Sequence, residues 1–256
     1  LFRYGYSLII GKAYDSATLG YYNRAYSFPD LIANNLATTI STVMLSAFSS
    51  EQDDLIKIHD MLSRTIKTST FFMFPVLFGI AIVAKPLVQI LLTEKWLPCV
   101  PYLQLSCILF AFVPFHIFYQ AINSVGKSHI FLKFEIIKKT ITVVTLIITV
   151  PISIEAMLIG QIISEIIATL LNACANRYFF SYSFNEQFND ILPSLLLSLT
   201  MCLIINIFGL LQLTYWVTLF CQIVIGAFFY IGVSEILKIE PLMYLKRILN
   251  GISHAS

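Results

Sequence analysis

The sequence predicts an all-α, multi-pass transmembrane helix bundle, and three observations lead there. Hydrophobic residues make up 58% of the chain and charged residues 12%, against about 45–50% and about 25% in a soluble globular chain. Mean hydropathy is +0.82. Apolar runs of roughly 20 residues, the length that carries a helix across a bilayer, recur along the 256 residues, and eight such segments are legible.

In order, the segments are 1–11, 26–48, 67–92, 101–123, 130–152, 154–176, 190–211 and 214–237. The first has only half the length of a span. No cationic start followed by a cleavage site marks it as a signal peptide, so the chain reads as a C-terminal fragment of a longer membrane protein. Gly20, Pro98, Gly126 and Pro151 punctuate the connections. Between 49 and 67 lie Glu51, Asp53, Asp54, Lys57, His59, Asp60 and Arg64, which predict a polar, partly helical loop on the membrane surface. The last two segments carry few polar groups, chiefly Ser194, Ser198, Asn206, Gln222, Ser234 and Glu235. The expected division is one six-helix lobe with a truncated first helix over 1–180, and two peripheral helices with a short tail over 181–256.

Lys and Arg set the expected orientation. With the start of the first segment inside, the inner set is Arg3, Lys57, Arg64, Lys67, Lys127, Lys133, Lys138, Lys139, Arg177, Lys238, Lys246 and Arg247. The outer set is Lys12, Arg24, Lys85 and Lys95. Twelve against four predicts a cytoplasmic C-terminus and a cytoplasmic 49–67 stretch.

Arg24, Asp30, Asn34 and Asn35 lie in or beside a spanning segment. An ionised side chain near the bilayer centre costs roughly 2.5–3.5 kcal/mol on insertion scales, so a helix facing lipid on all sides would not keep such groups. At about 100° per residue, Ser27, Asp30, Asn34, Thr38 and Ser41 fall within an arc of about 80°. Gln161, Glu165, Asn172 and Asn176 share a second stripe, and His116, Gln120 and Asn123 a third. Glu135, Lys138, Lys139, Thr142, Thr145 and Thr149 form a fourth. Four polar stripes predict a bundle around a hydrated space.

Each polar group also has a plainer reading. Ser and Thr serve as hydrogen-bonding glue between membrane helices, at roughly 0.6 kcal/mol per bond, and that reading is favoured for them. Asp30 and Arg24 fit a cavity or an interfacial, snorkelling position equally well. Glu135 is spaced to pair with Lys138 or Lys139, although both lysines also suit inner-face anchors. His116 reads as a hydrogen-bonded packing residue before a proton relay. Glu165, near mid-segment, reads as facing the cavity.

No catalytic constellation is present. The sequence lacks GxxxxGK[ST], HExxH and GxSxG patterns, so no enzyme activity, no cofactor and no metal site are expected. Transport would draw on an ion gradient, the membrane potential or a substrate gradient. The cysteines Cys99, Cys107, Cys174, Cys202 and Cys221 have no metal-ligand spacing and read as small buried hydrophobes. A net charge of +2 gives no reason to expect nucleic acid as a partner.

Residues 8–26 read LIIGKAYDSATLGYYNRAY, residues 43–54 VMLSAFSSEQDD, residues 95–105 KWLPCVPYLQL and residues 121–128 AINSVGKS. In this order and spacing the chain resembles the C-terminal half of bacterial polysaccharide (O-antigen, lipopolysaccharide) flippases of the multidrug/oligosaccharidyl-lipid/polysaccharide exporter superfamily. The resemblance covers about residues 1–180. It implies two facing six-helix lobes, often with two further helices, in the bacterial inner membrane. It implies export of undecaprenyl-pyrophosphate-linked oligosaccharide to the periplasmic leaflet by alternating access. The partners implied are the lipid-linked oligosaccharide, the bilayer and a missing N-terminal lobe. Family members often carry an acidic residue about five positions before the glycine matching Gly11; Tyr6 stands there instead.

Such a substrate needs cationic groups for its phosphates, for which Arg24, Lys138 and Lys139 are the candidates. Asn34, Asn35, Gln120, Asn123, Gln161 and Asn172 are candidates for sugar hydroxyls. Asp30 and Glu165 are candidates for a coupling cation or proton. Two rival functions are a cation-coupled small-molecule exporter and a membrane glycan polymerase or ligase. The short outer loops weigh against the latter, and a non-transporting fragment is a further alternative.

Overall fold

The structure, a computed structural model, describes residues 2–209, 214–244 and 246, with side chains from Gly5 onward except that of Ser128. Arg247, counted in the charge asymmetry above, lies outside the described residues, as do the side chain of Arg3 and the rest of the tail. Regular structure among the described residues is all helical: α1 (Phe2–Ala13), α2 (Ser16–Ser50), α3 (Leu55–Ile82), α4 (Ala84–Leu92), α5 (Val100–Phe110), α6 (Phe118–Ser124), α7 (Ser128–Thr149), α8 (Ile154–Phe180), α9 (Phe184–Gly209) and α10 (Tyr215–Ile236). Short 3₁₀ stretches, Glu94–Cys99 and Val113–Ile117, join α4 to α5 and α5 to α6.

Among the described residues, six helical stretches are long and apolar enough to cross a membrane: α2, α3, Glu94–Ser124, α8, α9 and α10. The eight predicted segments correspond to these six together with the 12-residue α1 and the 22-residue α7. The latter carries Lys133, Glu135, Lys138 and Lys139.

Three boundaries differ from the sequence expectation. First, α2 begins at Ser16, so Gly20 lies within a 35-residue helix and marks no turn. A single glycine costs about 1 kcal/mol relative to alanine, which a long helix tolerates. Second, the polar stretch 55–67 belongs to α3, and the turn is confined to 51–54. The Asp54 carboxylate accepts from the backbone N–H of Ile56 and Lys57, both at 3.1 Å, which starts the helix at its polar end. Third, segment 67–92 breaks at Val83. Pro86 offers no N–H to the Ile82 carbonyl, and Pro114 likewise withholds a donor from Phe110 where α5 gives way to a 3₁₀ turn.

The helix α5 sits at the centre, packed by α2, α3 and α8, while α7 lies along α8. Met73, Phe74 and Leu77 of α3 meet Leu103 and Cys107 of α5 in one buried cluster. A second cluster joins Phe48, Ile58, Leu62, Phe118, Ile122 and Phe180. The final pair is attached through α3: α9 packs along α3, and α10 along α9. Within α3, Pro75 leaves the Phe71 carbonyl without its helical donor, and the Tyr230 hydroxyl of α10 donates to that oxygen at 2.8 Å. Gly226 faces Ile205 and Met201 at close approach, and Gln222 Nε2 donates to the Ile205 carbonyl at 3.0 Å.

Contacts between connections tie the bundle at both ends. At one end, the Tyr14 hydroxyl donates to the Val150 carbonyl at 2.5 Å, and Tyr21 to the Lys95 carbonyl at 3.3 Å. At the other, Lys127 lies over the Phe179 ring and Asp190 gathers a cluster. Its Oδ2 accepts from Ser63 Oγ at 2.6 Å and from the Tyr182 hydroxyl at 2.5 Å, and its Oδ1 lies 3.3 Å from Lys67 Nζ. Burial and the bond to Asp190 push the Tyr182 phenol above its ordinary pKa. The corner leading into α9 turns at Ser181, in the left-handed region at φ +55°, and a Ser183–Glu186 capping box starts α9. Among the described residues no disulfide is formed, and Cys99, Cys107 and Cys202 are buried.

Candidate functional site

The polar stripes of four helices meet at a cavity of about 620 Å³. From α2 come Asp30, Asn34, Thr38 and Ser41, from α6 Gln120, from α7 Lys139 and Thr142, and from α8 Gln161, Ser164 and Glu165. The 3₁₀ turn adds His116, and Tyr6 and Tyr119 join the lining. The spacing Asp30, Asn34, Thr38 and Ser41 keeps these side chains on one helical face. The break at Pro114 takes His116 off the line of α5.

Two charge-bearing pairs organise the cavity. His116 Nε2 lies 3.1 Å from Glu165 Oε2, joining the 3₁₀ turn to α8. On α2, Asn34 Nδ2 donates to Asp30 Oδ1 at 2.6 Å, which gives the buried Asp30 a local donor. In a membrane interior a carboxylate without partners is costly, and each of these has one. Beside the cavity, Lys138 Nζ donates to the Tyr119 hydroxyl at 2.7 Å, lies over that ring, and stands 3.8 Å from Glu135. Buried Gln161 Nε2 has no hydrogen-bond partner among the described residues.

The structure brings together six of the eleven residues singled out from sequence: Asp30, Asn34, Gln120, Lys139, Gln161 and Glu165 line the cavity. Lys138 sits just outside the lining. Exposed Arg24 stacks its guanidinium 5.3 Å from the Phe28 ring, away from the cavity. Asn35 is exposed, and its carbonyl accepts from Thr39 at 2.8 Å. Asn123 takes part in the turn at Gly126, and Asn172 is buried in the bundle at 2% exposure. Sequence reasoning missed the pairing of His116 with Glu165. The signal was available: Pro114 two residues before the histidine, and a carboxylate on the polar stripe of another segment. Tyr6, which replaces the expected acidic residue, contributes to the same cavity.

Two further grooves adjoin. One of about 660 Å³ shares Ile40 and Ser69 with the polar cavity, and continues past Val43, Met44, Met61 and Arg64 to Lys67 and Tyr244. The other, of about 650 Å³, shares Lys67, Glu240 and Pro241 with the first, and runs between α9 and α10 past Leu197, Phe229 and Val233. A polar cavity and two grooves of mixed polar and apolar lining thus follow one another through common walls.

Residues 1–101 match the family described as "Polysaccharide biosynthesis protein". An uncharacterized membrane protein of the cps region of Klebsiella pneumoniae is 30% identical over 100 residues, 39% of this chain and 21% of that protein. The lipopolysaccharide biosynthesis protein WzxC of Escherichia coli K12 is 28% identical over 103 residues, 40% of this chain and 21% of that protein. The matched stretches thus span about a fifth of these curated relatives. Among solved structures, the lipid II flippase MurJ in an inward closed conformation aligns with a TM-score of 0.70 at 22% identity. That alignment covers 88% of this chain and 48% of the other, a likeness of fold.

Proposed function

We propose, from the match of residues 1–101 to the polysaccharide biosynthesis protein family, that the chain is one lobe of a transporter that exports lipid-linked oligosaccharide, of the undecaprenyl-pyrophosphate type, across the bacterial inner membrane. Transport, with no chemical conversion, is the activity. The observation that carries this reading is the succession, through shared walls, of a polar cavity and two grooves that add apolar surface to polar. An amphiphile with a large polar head and a long hydrocarbon tail fits such a path. A small drug-like cation has no need of the grooves, and a polymerase has no need of a continuous tail track.

In this reading Asn34, Gln120 and Gln161 bond sugar hydroxyls from the cavity wall, and Asn35, Asn123 and Asn172 have lesser parts. Lys139, with Lys138 beside it, offers positive charge to phosphate, while Arg24 meets the substrate only outside the cavity. Asp30 and the His116–Glu165 pair carry the coupling cation or proton. A facing N-terminal lobe closes the other side of the cavity. Residues 1–180 form the transport lobe and 181–256 the two added helices with their tail. The Lys/Arg asymmetry puts the C-terminus in the cytoplasm.

The test is leaflet-resolved measurement of lipid-linked oligosaccharide in cells lacking the protein, with the glycan identified by mass spectrometry. Repeat units trapped in the cytoplasmic leaflet and released on restoring the gene are expected. Unpolymerised units gathering in the periplasmic leaflet would overturn the reading in favour of a polymerase or ligase.

A further inference from the structure

The chemistry of a lipid-linked sugar fixes where its phosphates must stand, since they join the polar head to the hydrocarbon tail. They belong where the polar cavity gives way to the first groove. The common wall there is Ile40 on α2 and Ser69 on α3. Within two turns of Ser69 along α3, the first groove is lined by Thr68, Lys67, Thr65 and Arg64. Two cations and two hydroxyls therefore line the first groove beyond that wall, with Lys67 also in the wall it shares with the second groove.

The two cations are held differently. Arg64 is exposed and has no ion-pair partner among the described residues. Half-buried Lys67 bridges two carboxylates, Asp190 Oδ1 at 3.3 Å and Glu240 Oε2 at 3.0 Å. Asp190 is fixed: its side chain is 12% exposed and bonded to both Ser63 and Tyr182. The Glu240 side chain is 60% exposed, and among the described residues its recorded polar contact is Lys67. Glu240, with Pro241, stands where the two grooves meet, and Met243 and Tyr244 cover the first. One counterion of Lys67 is built into the fold, and the other is an exposed carboxylate whose neighbours Pro241 and Leu242 are buried.

Resting on the flippase reading, we propose that Arg64 and Lys67 seat the phosphate of the lipid-linked substrate, and that Glu240 is an internal stand-in which the phosphate displaces. Displacement exchanges one carboxylate on Lys67 for a doubly bonded, more highly charged anion with Arg64 as a second donor. It also takes the Glu240 side chain off the wall that the two grooves share. The seat lies outside the polar cavity and adds to the lysines there.

The test is binding to the full chain in detergent, measured by native mass spectrometry with three probes: a long-chain polyprenyl pyrophosphate, the corresponding polyprenol, and phosphatidylglycerol. The pyrophosphate is expected to bind about tenfold or more tightly over the polyprenol, as charge-assisted hydrogen bonds imply. Arg64→Gln should erase most of that preference. Glu240→Gln should tighten pyrophosphate binding by about two- to fivefold, because an exposed competing ion pair is worth only about 0.2–1 kcal/mol. Equal binding of pyrophosphate and polyprenol, or a preference untouched by both substitutions, would overturn the seat. Phosphatidylglycerol binding as tightly as the pyrophosphate, with the same response to Glu240→Gln, would also overturn it and mark a site for bulk membrane lipid. None of these readouts depends on transport, so the seat fails or stands separately from the flippase reading.

Discussion

The wall of the polar cavity and the α9–α10 pair are built from many of the same polar residue types; hydroxyls in both bond backbone one turn back, and the longer side chains differ in what they meet. Along α9 and α10, serine, glutamine and tyrosine close on neighbouring backbone. Gln222 donates to the Ile205 carbonyl, Tyr230 to the Phe71 carbonyl, and Ser198 to the Ser194 carbonyl one turn back. Around the cavity, Asn34, Gln120 and Gln161 line open space, and charged groups meet across elements, as His116 and Glu165 do. The difference teaches that a polar group in a membrane helix is a sign of function when the neighbouring helix leaves it room, and a sign of assembly when the neighbour supplies its partner.

Substitutions on the two sides should separate these uses. The largest effect is expected at Glu165→Ala, which leaves His116 facing the cavity alone. Export of lipid-linked oligosaccharide should fall about tenfold or more, with the thermal unfolding midpoint of the purified protein little changed; a large fall in that midpoint would make Glu165 a structural residue. Next is Gly160→Leu, where a Cβ would stand 3.0 Å from Thr149 Cγ2. Overpacking of the α7–α8 contact should destabilise the protein by about 1–3 kcal/mol, seen as a lowered unfolding midpoint before any effect on substrate binding. The smallest is Tyr230→Phe, which removes one interhelical hydrogen bond. About 0.6 kcal/mol is the expected loss, with export unaltered; a strong export defect would move Tyr230 to the functional side of the comparison.

Much of this was legible in the sequence. The eight helical segments follow from apolar runs of membrane length, and the turns at Gly126 and Pro151 from the residues themselves. The polar face of α2 was legible too, since the spacing of Asp30, Asn34, Thr38 and Ser41 fixes a face without any knowledge of neighbours. What that face meets is tertiary information. Thr145 pairs with Ser164 at 2.9 Å and Asn176 reaches Gln187 at 3.4 Å, although both belong to the same predicted stripes as cavity-lining residues. Helix breaks at Val83 and after Phe110 were hidden because hydropathy averages over them, even though Pro86 and Pro114 were in plain sight. The charged start of α3 reads in the sequence as a partly helical surface loop because charge argues against hydrocarbon; it does not argue against a continuous helix standing in water with Asp54 as its cap.

One detail of α3 bears on how the protein comes to be built. Helices of a membrane protein enter the bilayer as separate stable units and find one another afterwards, in a medium where apolar surfaces discriminate poorly between registers. The Phe71 carbonyl, stripped of its donor by Pro75, stays unsatisfied until the Tyr230 hydroxyl arrives. A slip of one helical turn, about 5.4 Å, would carry the hydroxyl out of reach of that carbonyl and forfeit the bond, at the same loss of about 0.6 kcal/mol. The proline thus gives the assembling bundle a proofreading mark, a position at which α10 recognises that it has reached its place.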